Sequence, residues 1–299
     1  MTHADGSDLL TYHIVDVFTD TRFTGNPLAV VLDGENLTTG QMQRLAAEFH
    51  LSETAFPLSP TAEQRARGAD YQLRIFTPEV ELPFAGHPSV GTAWLLRRLG
   101  LIPVGQIRQL CDEGLLPLEV TDDVVTLDGG RPRLSEPVDP SPVLAAVGLD
   151  FPDMVGHAPR IASAGLDYAI LPVRADALSR CRPDMGLLRS VFSYPNDATG
   201  VYVVAWERAP RRVQARMFAG DIGGPEDPAT GSAALALGVY LGGEGLLPVG
   251  LSAVEVKQGV EMGRSSTLRL ACEVDSDGAS LVRVSGGAVH VAEGRISAR

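Results

Sequence analysis

Glu53 stands in Leu51-Ser52-Glu53-Thr54-Ala55-Phe56, a segment that reads as a short strand. Period two puts its carboxylate on the face of Leu51 and Ala55. A carboxylate on an apolar face is costly unless it is paired, and desolvation raises its pKa. Such a group suits proton abstraction near neutral pH. The same pattern also fits a solvated Glu at a strand edge, since Glu is rarely buried. His87 follows Gly86 and precedes Pro88 at an expected helix start. There it reads either as a packed cap or as an acid or hydrogen-bond donor turned to a ligand, with Gly86 letting that ligand approach the backbone. Asp227 precedes a second expected helix start. Capping explains an Asp there without catalysis, and a proton-handling role remains open beside it. Gly231 and Ser232 fall in the first turn of that helix, where a backbone N–H and a hydroxyl can hold a carboxylate. Close helix packing by small residues explains the same pair. Gly25-Asn26-Pro27 reads as a turn rather than a ligand site.

The elements that must position these groups come in two copies. PFAGHPSVGTAWLL and GPEDPATGSAALAL align at a constant offset, laying Pro88 on Pro228, Gly91 on Gly231, Thr92 on Ser232 and Ala93 on Ala233. Arg74-Ile75-Phe76 upstream of the first echoes Arg216-Met217-Phe218 upstream of the second. A duplicated strand–turn–helix unit implies two similar domains and a cleft where two helix N-termini face one small anion. Trp94, Leu95, Leu96 and Leu99 make the first helix apolar on several faces. Ala233 to Leu241 is almost wholly apolar, with Tyr240 as its polar handle. Helices apolar nearly all round are buried ones. Each half therefore reads as sheet wrapped around a central helix.

Around these copies, residues 11–32 read as two strands joined by a turn, with His87 and Asp227 as the caps of the two central helices. Thr38 with Gln41 opens a helix through a capping box that carries Met42, Leu45, Ala46 and Phe49 at helical spacing. Residues 128–142, with four prolines and two adjacent glycines, read as a linker. Ser141-Pro142 starts a short helix stopped by Gly148, and residues 251–293 alternate like strands. The expected domains are residues 1–128 and 129–299.

Composition narrows the function class. A chain of 299 residues with 44% hydrophobic and 21% charged content is long enough for two ordinary globular cores. A formal net charge of −12 with no basic run beyond Arg97-Arg98 or Arg211-Arg212 argues against nucleic acid and anionic membrane as partners. The first residues show no secretory signal, and no apolar run approaches a membrane span, so a cytoplasmic location is expected. Cys111, Cys181 and Cys272 form no metal-spacing pair and no redox dyad. GxGxxG after a strand, GxxxxGK[ST], GxSxG and HExxH are all missing, and His87 has no second His or Cys at ligand spacing. No cofactor and no metal are expected.

The segments VDVFTDTRFTGNPLAVV, LSETAF, RIFTPEVELPFAGHPSVGTA and RMFAGDIGGPEDPATGSA, in this order over about residues 13–240, closely resemble the PhzF family of phenazine biosynthesis. The resemblance implies the diaminopimelate-epimerase-like fold: α+β, two pseudo-symmetric domains, each a curled, mostly antiparallel sheet around a central buried helix. It also implies a homodimer. Carried over by motif, Glu53 is the family's proton-transfer residue, His87 the His of GHP, and Asp227 and Ser232 the Asp and Ser of EDPATGS. Ser89 stands where Thr is frequent, which keeps the hydroxyl. The family's reaction is isomerisation of trans-2,3-dihydro-3-hydroxyanthranilate. By resemblance Glu53 takes a proton from C3 of the ring and helps return it at C1, and the enol so formed becomes a ketone. His87 and Asp227 orient the amino and hydroxyl groups and steer protons, while Ser232 and the Gly231 backbone hold the carboxylate. The epimerases of this fold use two cysteines at the helix starts, and no cysteine of this chain lies near either. The expected activity is cofactor-independent isomerisation of a small cyclic or amino-acid-like carboxylate. The alternatives are a cofactor-independent epimerase and a non-catalytic binding protein.

Overall fold

The computed structural model describes residues 9–191, 198–219 and 225–298. The chain forms two compact units. The first takes residues up to 23, then 27–126 and 287 onward; the second takes 24–26 and 127–286. The sequence division into 1–128 and 129–299 misses two crossings. The last strand returns to the first unit because it pairs along the whole length of the first strand. Asn26 counts with the second unit because its side chain bonds there.

In the first unit, β1 (Leu9–Val17) pairs antiparallel with β17 (Ala288–Ser297) and also with β2 (Asn26–Val31). From β2 the sheet runs on through β3 (Glu53–Leu58) in parallel and β4 (Tyr71–Phe76) antiparallel. The short β5 (Glu81–Leu82) hangs on β4. Next come β6 (Gly105–Cys111), parallel to β4, and β7 (Gly114–Val120), antiparallel to β6. The helix α3 (Gly86–Arg98) packs on β1, β3, β7 and β17, strands from both ends of that order, so the sheet curls around it. Outside lie α1 (Thr39–Phe49), opened by the Thr38–Gln41 capping box as expected, and the short α2 (Ala62–Ala66). Met42, Leu45 and Ala46 of α1 join Leu10, Val31, Phe56 and Phe76 in an outer core.

β8 (Val125–Asp128) carries the chain into the second unit. The segment expected to be a linker contains β9 (Arg133–Pro137), paired antiparallel with β10 (Arg160–Ser163). The Pro and Gly signals there mark strand ends, not loss of structure. The order continues β11 (Asp167–Pro172), β12 (Gly200–Glu207), β13 (Arg212–Ala219), β14 (Gly250–Gln258), β15 (Ser266–Asp275) and β16 (Gly278–Gly286). Only the β11–β12 and β13–β14 pairs are parallel. The first unit has its parallel pairs at the same places, β2–β3 and β4–β6, so the duplication seen in the sequence is a duplication of topology. The central helix here is α7 (Gly231–Gly243), packed on β9, β10, β11, β15 and β16. The outer layer is α4 (Pro140–Val147), with Asp139 as cap and Gly148 as left-handed stop, then α5 (Ala175–Leu178) and α6 (Met185–Val191).

Both central helices are buried from their first residue, Gly86 to Leu96 and Gly231 to Gly242. Glycine makes this possible. A Cβ on Gly91 would come within 2.6 Å of Val17 and 2.8 Å of Leu28, and one on Gly238 within 2.9 Å of Val282.

Candidate active site

Each unit brings acid–base groups to the start of its central helix. In the first, Glu53 is the first residue of β3, paired in parallel with Leu28 and only 8% exposed. His87 is the second residue of α3, not its cap; Ala85 takes the cap position in extended conformation, without a side-chain bond. The Nε2 of His87 lies 3.4 Å from Oε2 of Glu53. Burial drives the His87 pKa down to about 3, so the imidazole is neutral at physiological pH. A neutral ring beside a carboxylate offers an N–H without committing a counter-charge.

Buried polar side chains hold this arrangement. Tyr71 Oη donates to Gln109 Oε1 at 2.8 Å, and Gln109 Nε2 donates to Ser89 Oγ at 2.9 Å. Ser89 Oγ in turn donates to the carbonyl of Ala85, the α3 cap residue, at 2.8 Å. Arg74 grips Glu81 with two bonds of 2.7 Å and lies over the Phe76 ring. This ties β4 to the segment leading into α3.

The second unit repeats the pattern with different end groups. Arg216 grips Glu226 with bonds of 2.8 and 2.7 Å and lies over Phe218. Glu226 adjoins Asp227, whose backbone bridges to Met217. Asp227 is also not a helix cap: Thr230 holds that position, and its hydroxyl turns back to donate to Asp227 Oδ2 at 2.5 Å. Asn26 Nδ2 donates to Asp227 Oδ1 at 2.8 Å and to the Ala229 carbonyl at 3.0 Å. A second buried Tyr–Gln pair serves this unit, Tyr202 on β12 and Gln258 on β14. Tyr202 Oη donates to Gln258 Oε1, and Gln258 Nε2 donates to the Asp227 carbonyl at 2.7 Å and to Thr230 Oγ1 at 2.9 Å. Burial raises the Asp227 pKa to about 6; the bonds from Thr230 and Asn26 oppose the rise and Glu226 adds to it. Gly231 and Ser232 are the first two residues of α7, and Ser232 Oγ lies 2.7 Å from Tyr168 Oη. With its hydroxyl engaged elsewhere, the Thr230 side chain does not cap the first-turn N–H groups of α7.

Sequence reasoning passed over several of these residues, among them Asn26, Tyr168 and Gln258. Asn26 read as a turn residue, yet it is fully buried and holds Asp227. Tyr168 and Gln258 gave no signal beyond a polar atom in an apolar strand. The three cysteines are buried: Cys111 closes β6, Cys272 bonds the Gly238 carbonyl in mid-helix, and Cys181 bonds Ala177. Burial raises Cys181 and Cys272 to about 11, leaving protonated thiols.

Two sheet-wrapped helices, each with acid–base groups at its start, define an isomerase of the diaminopimelate-epimerase-like α+β fold. The hydroxyproline epimerase of Agrobacterium vitis shares that fold, with a TM-score of 0.66 at 13% identity over 98% of this chain and 94% of its own. The chain belongs to the PhzC-PhzF family of phenazine biosynthesis-like proteins, whose model matches residues 15–294. Trans-2,3-dihydro-3-hydroxyanthranilate isomerase of Pseudomonas aeruginosa is 34% identical over 95% of this chain and 98% of its own. An uncharacterised isomerase of Mesorhizobium japonicum is 35% identical with the same coverage. The PhzF-family protein of Bacillus anthracis matches with a TM-score of 0.84 and 26% identity, covering 96% of this chain and 99% of its own. Among the described residues no helix is long and apolar enough to cross a membrane.

Proposed function

We propose that this isomerase moves a proton on a small cyclic or amino-acid-like carboxylate without a cofactor. The observation that carries the reading is the buried Glu53 carboxylate 3.4 Å from a neutral His87. Glu53 takes the proton and returns it at a second carbon. His87 donates a hydrogen bond to the oxygen that becomes the enol. Asp227, held by two donors that favour its ionised form, accepts from the substrate's amino group. The N–H groups of Gly231 and Ser232, with the Ser232 hydroxyl, hold the substrate carboxylate, and Gly86 leaves room beside His87. The 34% identity to trans-2,3-dihydro-3-hydroxyanthranilate isomerase over nearly the full chain supports a substrate of that kind.

Proton exchange tests the reading. Incubation with trans-2,3-dihydro-3-hydroxyanthranilate and a panel of cyclic amino acids in deuterated water gives label uptake or a shifted double bond. Glu53→Gln lowers that rate by about 10³-fold or more, in the range expected for losing a general base. Turnover undiminished in Glu53→Gln would sink the assignment. A product differing only in configuration would move the enzyme to the epimerase reading, which the A. vitis fold neighbour keeps in view. We further propose a cytoplasmic homodimer that binds no nucleic acid, in keeping with the net charge of −12. Sedimentation equilibrium of the untagged chain checks the dimer.

A further inference from the structure

A second cluster of chemistry-bearing side chains lies where the first strand meets the last. On β1 and β17, His13 stands opposite Glu293, Ile14 opposite Ala292, and Val15 opposite His290. Val291 is therefore an extra residue, a bulge on β17. Two residues three apart on a regular strand point to opposite faces. The bulge cancels that alternation, so His290 and Glu293 both come to the face of His13.

The geometry that results is that of metal ligands. Nδ1 of His13 lies 3.1 Å from Nε2 of His290 and 3.8 Å from Oε2 of Glu293. All three ligand atoms fall within 4.8 Å of one another. Two imidazole nitrogens bound tetrahedrally to zinc, each at its usual length, stand about 3.3 Å apart. The His13 side chain is 6% exposed and that of Glu293 71%, so the cluster has a buried floor and an open mouth through which an ion can enter. Arg22 donates to the His290 carbonyl at 2.8 Å, which fixes the backbone beside the bulge.

We propose that His13, His290 and Glu293 form a site for a divalent transition metal of the zinc class, with water completing the coordination. Two imidazoles and one carboxylate suit zinc, cobalt and nickel better than magnesium or calcium. The ion clasps β1 to β17, joining chain ends 277 residues apart along the sequence. Its role is structural, and the isomerisation proposed above does not use it.

The test is titration of untagged, EDTA-stripped full-length protein with zinc chloride, and with cobalt chloride for its visible absorption. One equivalent binds with a Kd of about 10 μM or tighter, and zinc raises the Tm by several degrees. His13→Gln and His290→Gln each weaken zinc binding by about a hundredfold. Glu293→Gln, at an exposed position, weakens zinc binding and changes the cobalt spectrum. Turnover is the same with and without EDTA, so a failed activity assay and a failed metal titration speak to different claims. Zinc binding weaker than about 100 μM, or binding unchanged in all three variants, overturns the proposal.

Discussion

At the scale of single residues, Asp227 shows how a buried carboxyl can work against stability. Its folded pKa of about 6 lies above its ordinary 3.8. A raised carboxyl pKa means that the folded state holds the proton more tightly than the unfolded one. This group's contribution to stability is therefore complete below about pH 4 and is lost as pH rises through about 6. At pH 8 the ionised group costs at most about 3 kcal/mol. Asp227→Asn keeps the shape and never ionises. Its Tm relative to the parent should climb between pH 4 and 7 and then level off, which a pH series of thermal melts will read. If Asp227 accepts from the substrate as proposed, the same variant should lose the limb of the pH–rate profile that rises through about 6. His87, neutral from about pH 3 upward, adds no limb in the working range.

At the scale of elements, the two central helices depend on having almost no side chain where the sheet crosses them. Gly91→Ala places a methyl 2.6 Å from Val17 Cγ2 and 2.8 Å from Leu28 Cδ2, neighbours held in a packed sheet. The expected loss is about 1–3 kcal/mol, read by urea denaturation, from overpacking rather than from helix propensity, which favours Ala. The two grips, Arg74 on Glu81 and Arg216 on Glu226, are the other shared device. Arg216 is only 7% exposed and also donates to the Leu178 carbonyl. Removing it strands the Glu226 carboxylate beside Asp227. Arg216→Met should therefore cost about 3 kcal/mol or more and push the Asp227 limb of the pH–rate profile upward.

At the scale of the whole molecule, the chain closes its first unit with its last strand. Ending the chain after Gly286 leaves the second unit's strands complete but removes the antiparallel partner of β1. Hydrogen exchange should then show protection lost across β1 to β4 and retained across β11 to β15. Equal loss in both units would mean that they fold only together. Long-range closure of this kind is slow and exposes an unpaired edge until it is made.

The sequence by itself determined the duplicated unit, the two buried helices and the family, and it singled out Glu53, His87, Asp227, Gly231 and Ser232 as candidates. Periodicity and small-residue spacing are local signals, and the motifs are contiguous. Only the tertiary structure decided that His87 and Asp227 sit beside the helix caps rather than on them, since the caps fall to Ala85 and Thr230 through backbone geometry. It alone showed Asn26, a turn residue on paper, buried against Asp227 from 201 positions away. The same holds for the passage of residues 287–298 to the first unit and for the bulge that sets His290 beside His13. Strand pairing joins residues without regard to their separation in the chain, and no local pattern records which partner a strand will take.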